Sequence, residues 1–82
     1  MEHVETTEAK LRRILSYQIG VDDAEITSNA KLVADLGADS LDLEEIVMSC
    51  EQEFEIEVPE DEAQELETFQ QLVAYVEKKR AH

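Results

Sequence analysis

One apolar stripe in the middle of this 82-residue chain constrains its fold more than any other feature. Leu43, Ile46, Val47, Cys50 and Phe54 recur at helical spacing. At about 100° per residue they fall within an arc of about 100°. A strand would throw members of this set onto opposite faces, so the segment reads as a helix with one buried side. Asp39 is a good N-cap, and the helix is expected to open at Asp39-Ser40 and run to about Phe54.

The rest of the chain punctuates itself around that helix. Thr6 or Thr7 can cap a first helix that ends near Ile19, with Gly20 as its stop. Its apolar side is Leu11, Ile14 and Leu15, with Val4 below and Ile19 above. Residues 21–38 form a connection longer than the ~12–15 residues usual for a structureless loop, so it should contain a helical turn or serve a purpose. Val21, Ile26, Leu32, Val33 and Leu36 are expected to pack it onto the domain. Phe54-Glu-Ile-Glu-Val58 alternates like a strand, but no second strand exists to pair with it, so it is an extended connector. Pro59 is expected at the first position of a short third helix, followed by Glu60, Asp61 and Glu62. Thr68 and Gln71 form a capping box that opens a last helix to about Lys79. Phe69, Leu72, Val73 and Val76 make its inner face. The expected fold is all-α: a small four-helix bundle of three longer helices and one short helix, with a long first loop. Residues 1–82 are read as a single domain.

Charge narrows the partners. The chain has 21 Asp and Glu against 7 Lys and Arg, a formal net charge of −14. No base lies between Leu32 and Glu77, a stretch that carries 15 of the acids. Nucleic-acid binding by phosphate neutralisation needs a basic face, and docking on an anionic membrane does too. A partner that reads this surface by charge is therefore basic. No apolar run approaches the ~20 residues of a membrane span. The start, Met1-Glu-His-Val-Glu-Thr-Thr7, is unlike a secretory signal, and a lone Cys50 cannot make an internal disulfide. A cytoplasmic monomer is expected.

Catalytic chemistry is hard to assemble from this inventory. His3 and His82 stand at the ends of the chain, poorly placed as a base for Ser40 or Cys50. Cys50 lies on the apolar face, where a structural thiol belongs. Neither Val21-Asp-Asp-Ala-Glu25 nor Asp35-Leu-Gly-Ala-Asp39 has the spacing of a calcium loop, so no designed metal site is expected. The chain reads as a non-enzyme.

The opposite side of the central helix carries the other signal. Leu41 and Met48 leave the stripe and lie together, with Glu44, Glu45 and Glu51 around them. Two exposed apolar residues are ordinary in themselves. They can also form a recognition patch, in which acids steer a basic partner and Leu41 and Met48 supply the dry contact. Ser40, in the first turn beside that patch, reads either as a simple helix cap or as a site whose attachment would hang outside the fold.

The run Asp35-Leu-Gly-Ala-Asp-Ser-Leu-Asp42, placed before an acidic helix, resembles the acyl carrier proteins, in particular the free-standing bacterial type. The similarity extends through Ile19-Gly-Val21, Phe54, Val58-Pro59, Tyr75 and Val76. The resemblance implies a 4'-phosphopantetheine arm attached to Ser40 from coenzyme A by a phosphopantetheinyl transferase, with acyl groups carried on it as thioesters. It implies that Asp39 supports the attachment site. It makes Leu41, Glu44, Glu45, Met48, Glu51, Val58 and Glu60 the surface read by acyl-transferring enzymes with basic patches. It makes Val47, Val58, Ala63 and Leu66 the lining of a cavity for the acyl chain. Against the common pattern of the family, Glu44 adds charge where an apolar residue is frequent, Leu43 replaces a small polar residue, and Cys50 stands where a larger aliphatic residue would leave less space. Fatty-acid cargo, polyketide or aminoacyl cargo, and an acidic adaptor that binds basic proteins without a prosthetic group remain the open readings.

Overall fold

The computed structural model describes residues 5–80. Val4, expected below the apolar side of the first helix, and the terminal His3 and His82 lie outside the described residues. The elements are α1 (Thr7–Ile19), a 3-10 turn (Asp23–Glu25), α2 (Ser40–Phe54), α3 (Glu60–Ala63) and α4 (Phe69–Arg80). The expected four helices, three long and one short, are all present, and the residue pairing of Lys31 with Thr68 is an isolated bridge rather than a strand pair.

Local chemistry sets each boundary. Thr6 Oγ1 accepts the Ala9 N–H at 3.1 Å at the start of α1, and Gly20 closes the helix in a left-handed conformation that L side chains resist. At α2, Asp39 accepts the Asp42 N–H at 2.8 Å while the Asp42 carboxylate accepts the Asp39 N–H at 3.2 Å. Thr68 and Gln71 exchange the same pair of bonds at the start of α4, both 3.1 Å. Pro59 is the N-cap of α3 rather than its first helical residue. Its carbonyl accepts the Ala63 N–H at 2.9 Å, so the turn begins one residue later than its fixed φ alone suggests.

The core joins Leu11 and Leu15 of α1, Ile46, Cys50 and Phe54 of α2, and Phe69, Leu72 and Val76 of α4. The first loop contributes as much as a helix does, through Ile26, Ala30, Leu32 and Leu36. Residues 32–36 wind into a turn that sends Leu32 and Leu36 inward. Val33 falls off that face and is exposed, against the expectation that it packs inward. Each large side chain fully buried here contributes about 1.5–3 kcal/mol before the entropy of ordering is counted.

Polar contacts then fasten the loop at both ends. The Arg12 guanidinium donates to the carbonyls of Asp23 and Ile26 at 3.0 and 2.6 Å. The N–H groups of Leu32, Phe69 and Gln70 bond to Glu67, Ala30 and Ser28 carbonyls, tying the loop to the start of α4. Arg80 donates to Thr7 Oγ1 at 2.7 Å and stacks over the Phe54 ring, closing the far end of the bundle.

Candidate functional site

The α2 stripe does not bury uniformly. Ile46, Cys50 and Phe54 are in the core, whereas Leu43 and Val47 are only half-buried. They open into a cleft of about 530 Å³ between α2 and the segment from Val58 to Leu66. Ser40, Glu44, Val47 and Met48 follow one another at helical spacing along the α2 wall of this cleft. Val58, Ala63 and Leu66 make the opposite wall, and Leu32, Ile46 and Leu72 form the apolar floor. Ser40, Glu44, Glu60 and Gln64 are the polar groups of an otherwise apolar lining. A concave apolar lining with a few polar groups is the usual form of a ligand site.

Ser40 is exposed where α2 begins, in the lining of that cleft. Its hydroxyl has no hydrogen-bond partner among the described residues, because Asp39 supplies the cap instead. The Ser40 side chain is therefore free for chemistry while the helix start is fixed without it. The Asp39–Asp42 box is braced from α1 by Gln18, whose Nε2 donates to Asp42 at 3.3 Å. The Asp39 N–H and then the Gln18 amide hold the Asp42 carboxyl below its ordinary value. Asp42 and Gln18 were missed as positioning residues in the sequence, although an Asp three residues after an Asp cap is a legible signal.

Leu41 and Met48 are exposed, at 65% and 57%. Met48 and Glu44 belong both to that patch and to the cleft, so the two surfaces are continuous. Glu45 is half-buried. Glu51 faces the connector, and its carboxylate accepts the Val58 N–H at 2.9 Å. Cys50 does not line the cleft, so the extra space expected beside it is no part of this cavity. Burial first, and the Glu51 charge second, push its thiol up to about 12, which leaves it protonated and unreactive near neutrality.

The second depression, about 650 Å³ between α1 and α2, is larger and lies around Tyr17 and Ser49. Several of its polar side chains already engage one another or their neighbours: Lys10 with Glu53 at 3.5 Å, Arg13 with Glu5 at 2.7 Å, and Ser16 with Asp23 at 3.1 Å. None of the sequence-derived candidates lines it. Among the described residues no three His, Cys, Asp or Glu side chains converge as metal ligands do, and no helix is long and apolar enough to cross a membrane.

Comparison with known proteins bears on this geometry. Residues 9–76 match the protein family described as "Phosphopantetheine attachment site". The chain is 49% identical over 71 residues to an "Acyl carrier protein" of Akkermansia muciniphila, covering 87% of this chain and 89% of that one. It is 45% identical over 71 residues to an "Acyl carrier protein" of Solidesulfovibrio magneticus, with 87% and 91% covered.

Proposed function

The chain belongs to the acyl carrier proteins, and from that premise we propose that Ser40 bears its phosphopantetheine arm and that the adjoining cleft shelters the acyl chain. The protein is a carrier and not an enzyme. The observation that carries the Ser40 assignment is its exposed, unpartnered hydroxyl in the cleft lining, within the matched residues.

The residues present fit such an attachment. The Ser40 and Leu41 N–H groups at the head of α2 have no acceptor among the described residues, which favours an anionic phosphodiester nearby. In attachment, the Ser40 oxygen forms a bond to the phosphorus that bears the pantetheine in coenzyme A. The bond to the adenosine bisphosphate breaks, and the hydroxyl proton passes to the transferase. Once bound, the arm supplies a terminal thiol that carries acyl groups as thioesters. Asp39 serves this site by holding the first turn of α2, so that Ser40 needs no bond of its own. Val47, Val58, Ala63 and Leu66 exclude water from the chain that lies between them.

The phosphopantetheinyl transferase and acyl-handling enzymes are the partners that membership in the family implies. We assign their basic patches to the exposed face of α2 and the segment beyond it. Leu41 and Met48 would supply the apolar contact, ringed by Glu44, Glu45 and Glu51. Val58 and Glu60 extend this surface to the other lip of the cleft. Fatty-acid or related acyl synthesis is the pathway we assign to it, and the lone buried thiol of Cys50 suits a cytoplasmic setting. The deciding experiment is incubation with coenzyme A and a promiscuous phosphopantetheinyl transferase, read by intact mass. One phosphopantetheine is expected on the native chain and none on Ser40→Ala; addition to both, or to neither, refutes the assignment.

A further inference from the structure

The wall of the cleft opposite α2 is held by different means from the rest of the molecule. α3 has four residues and none is buried. A single helical turn has little stability of its own, so its position depends on its attachments. Its flanks, Ile56 and Leu66, pack only half-buried against the core. Hydrogen bonds pin the two ends of the segment, from the Ile56 N–H to the Glu51 carbonyl at 3.2 Å, from the Leu32 N–H to the Glu67 carbonyl at 2.9 Å and from the Glu67 N–H to Gln71 Oε1 at 2.8 Å. Between those ends the polar ties converge on two carboxylates. Glu51 of α2 holds the connector through the Val58 N–H at 2.9 Å. Glu62 of α3 accepts a hydrogen bond from the Tyr75 hydroxyl of α4, and the Lys79 ammonium lies 3.6 Å from the same carboxylate.

Tyr75 thus has a role that its ring alone would not fill. Its ring packs half-buried on α4 beneath Lys79, whose ammonium sits 5.5 Å from the ring centre. Phenylalanine would keep that packing and lose only the hydroxyl that reaches α3. Glu62 stands one residue before Ala63, which lines the cleft, so a contact at Glu62 fixes the wall directly. Contacts between partly solvated groups break far more easily than a buried core does, and they re-form without a search.

We propose that Tyr75, Glu62 and Lys79 form a latch that sets how far α3 stands from α2, and thereby how readily the cleft admits and releases long acyl chains. The proposal rests on the reading of this cleft as the cargo site. A two-carbon cargo needs no movement of the wall and is indifferent to the latch. A long chain must displace Ala63 and Leu66 or pass between them and Val47, so its shelter depends on the wall. Tyr75 and Glu62 are positioning residues, acting through the side chains that line the cleft.

The test uses the full chain with Tyr75→Phe and Glu62→Gln. Amide hydrogen exchange on the unmodified protein should speed up roughly fivefold at Ala63 and Gln64 in Tyr75→Phe, with the Ile46 and Cys50 amides unchanged. Glu62→Gln, which keeps an acceptor for the hydroxyl but loses the charge facing Lys79, should fall between the two. On protein loaded with a sixteen-carbon or a two-carbon thioester, hydroxylamine cleavage should accelerate in Tyr75→Phe for the long chain only. Unchanged exchange in α3, or equal acceleration in α2, overturns the latch. Faster α3 exchange with no dependence on chain length overturns the cleft as the cargo site, and the latch's selective role with it. If Tyr75→Phe does not fold, Glu62→Gln alone decides by the same readings.

Discussion

The two connections that flank α2 both border the cleft, and they are built on opposite principles. Residues 21–38 bury Ile26, Ala30, Leu32, Leu36 and Ala38, and Arg12 and the start of α4 grip their backbone. Residues 55–67 bury no side chain; hydrogen bonds at Ile56 and Glu67 hold their ends, and carboxylate contacts hold the middle to α2 and α4. Charge sharpens the contrast: the first connection has four acids and one base, the second seven acids and no base. Like charges in a short segment repel, which loosens a wall that already lacks an anchor in the core. The lesson is that a connection long enough to look like a loop can be the rigid part, while a helix can be the adjustable one. The rigid connection fixes the approach to Ser40, and the adjustable one faces it across the cleft.

The largest expected effect is the one that would break this comparison most plainly. Leu36→Ala in the first connection should cost about 3 kcal/mol in a denaturant titration, because a buried leucine leaves a cavity. Leu66→Ala in the second should cost about 1 kcal/mol, since its side chain is only half-buried. Similar costs at the two sites would mean that the second connection is anchored after all.

A smaller effect appears in the pH dependence of the latch. The Tyr75 hydroxyl, and after it Lys79 and Lys78, hold the Glu62 carboxyl below its ordinary value of 4.5. A carboxyl depressed by folding adds stability above its unfolded value and loses it as pH falls through the folded value. Tyr75 is shifted the other way, upward, by burial first and by Glu62 second. Its contribution is present below its ordinary value of 10.0 and is lost as pH rises through the folded value. The difference in stability between the native chain and Tyr75→Phe should therefore be constant from about pH 5 to 9 and shrink on either side. Thermal melts carried beyond that range on both sides, from about pH 3 to 11, give the difference directly, and one that is flat at all pH removes the Glu62 contact from the account.

Most of the fold was legible because period and punctuation agreed. Thr6, Gly20, Asp39 and Thr68 mark helix ends with side chains or conformations that few other residues supply. The stripe on α2 was legible as a stripe, but its division between core and cleft was not. Nothing in Leu43 and Val47 themselves says that the helix facing them is one turn long and stands off the core. Val33 was misread because its neighbours Leu32 and Leu36 set the inward face of a turn that hydrophobicity alone does not locate. The ties made by Gln18, Glu51 and Tyr75 join residues 24, 7 and 13 positions apart, and no local pattern encodes such pairs. Ser40 stood out in the sequence, but its freedom from capping emerged only with the Asp39–Asp42 box in view.

The central claim is that Ser40 and the cleft between a fixed and an adjustable wall work as one unit. The most direct measurement is a set of nuclear Overhauser contacts from an eight-carbon chain, joined through a non-hydrolysable amide to the arm on isotopically labelled protein. The account predicts contacts from the chain's methylenes to the methyl groups of Val47, Ala63 and Leu66. Contacts to Ile14 or Tyr17 in the groove between α1 and α2, or a chain with no protein contacts, would contradict it.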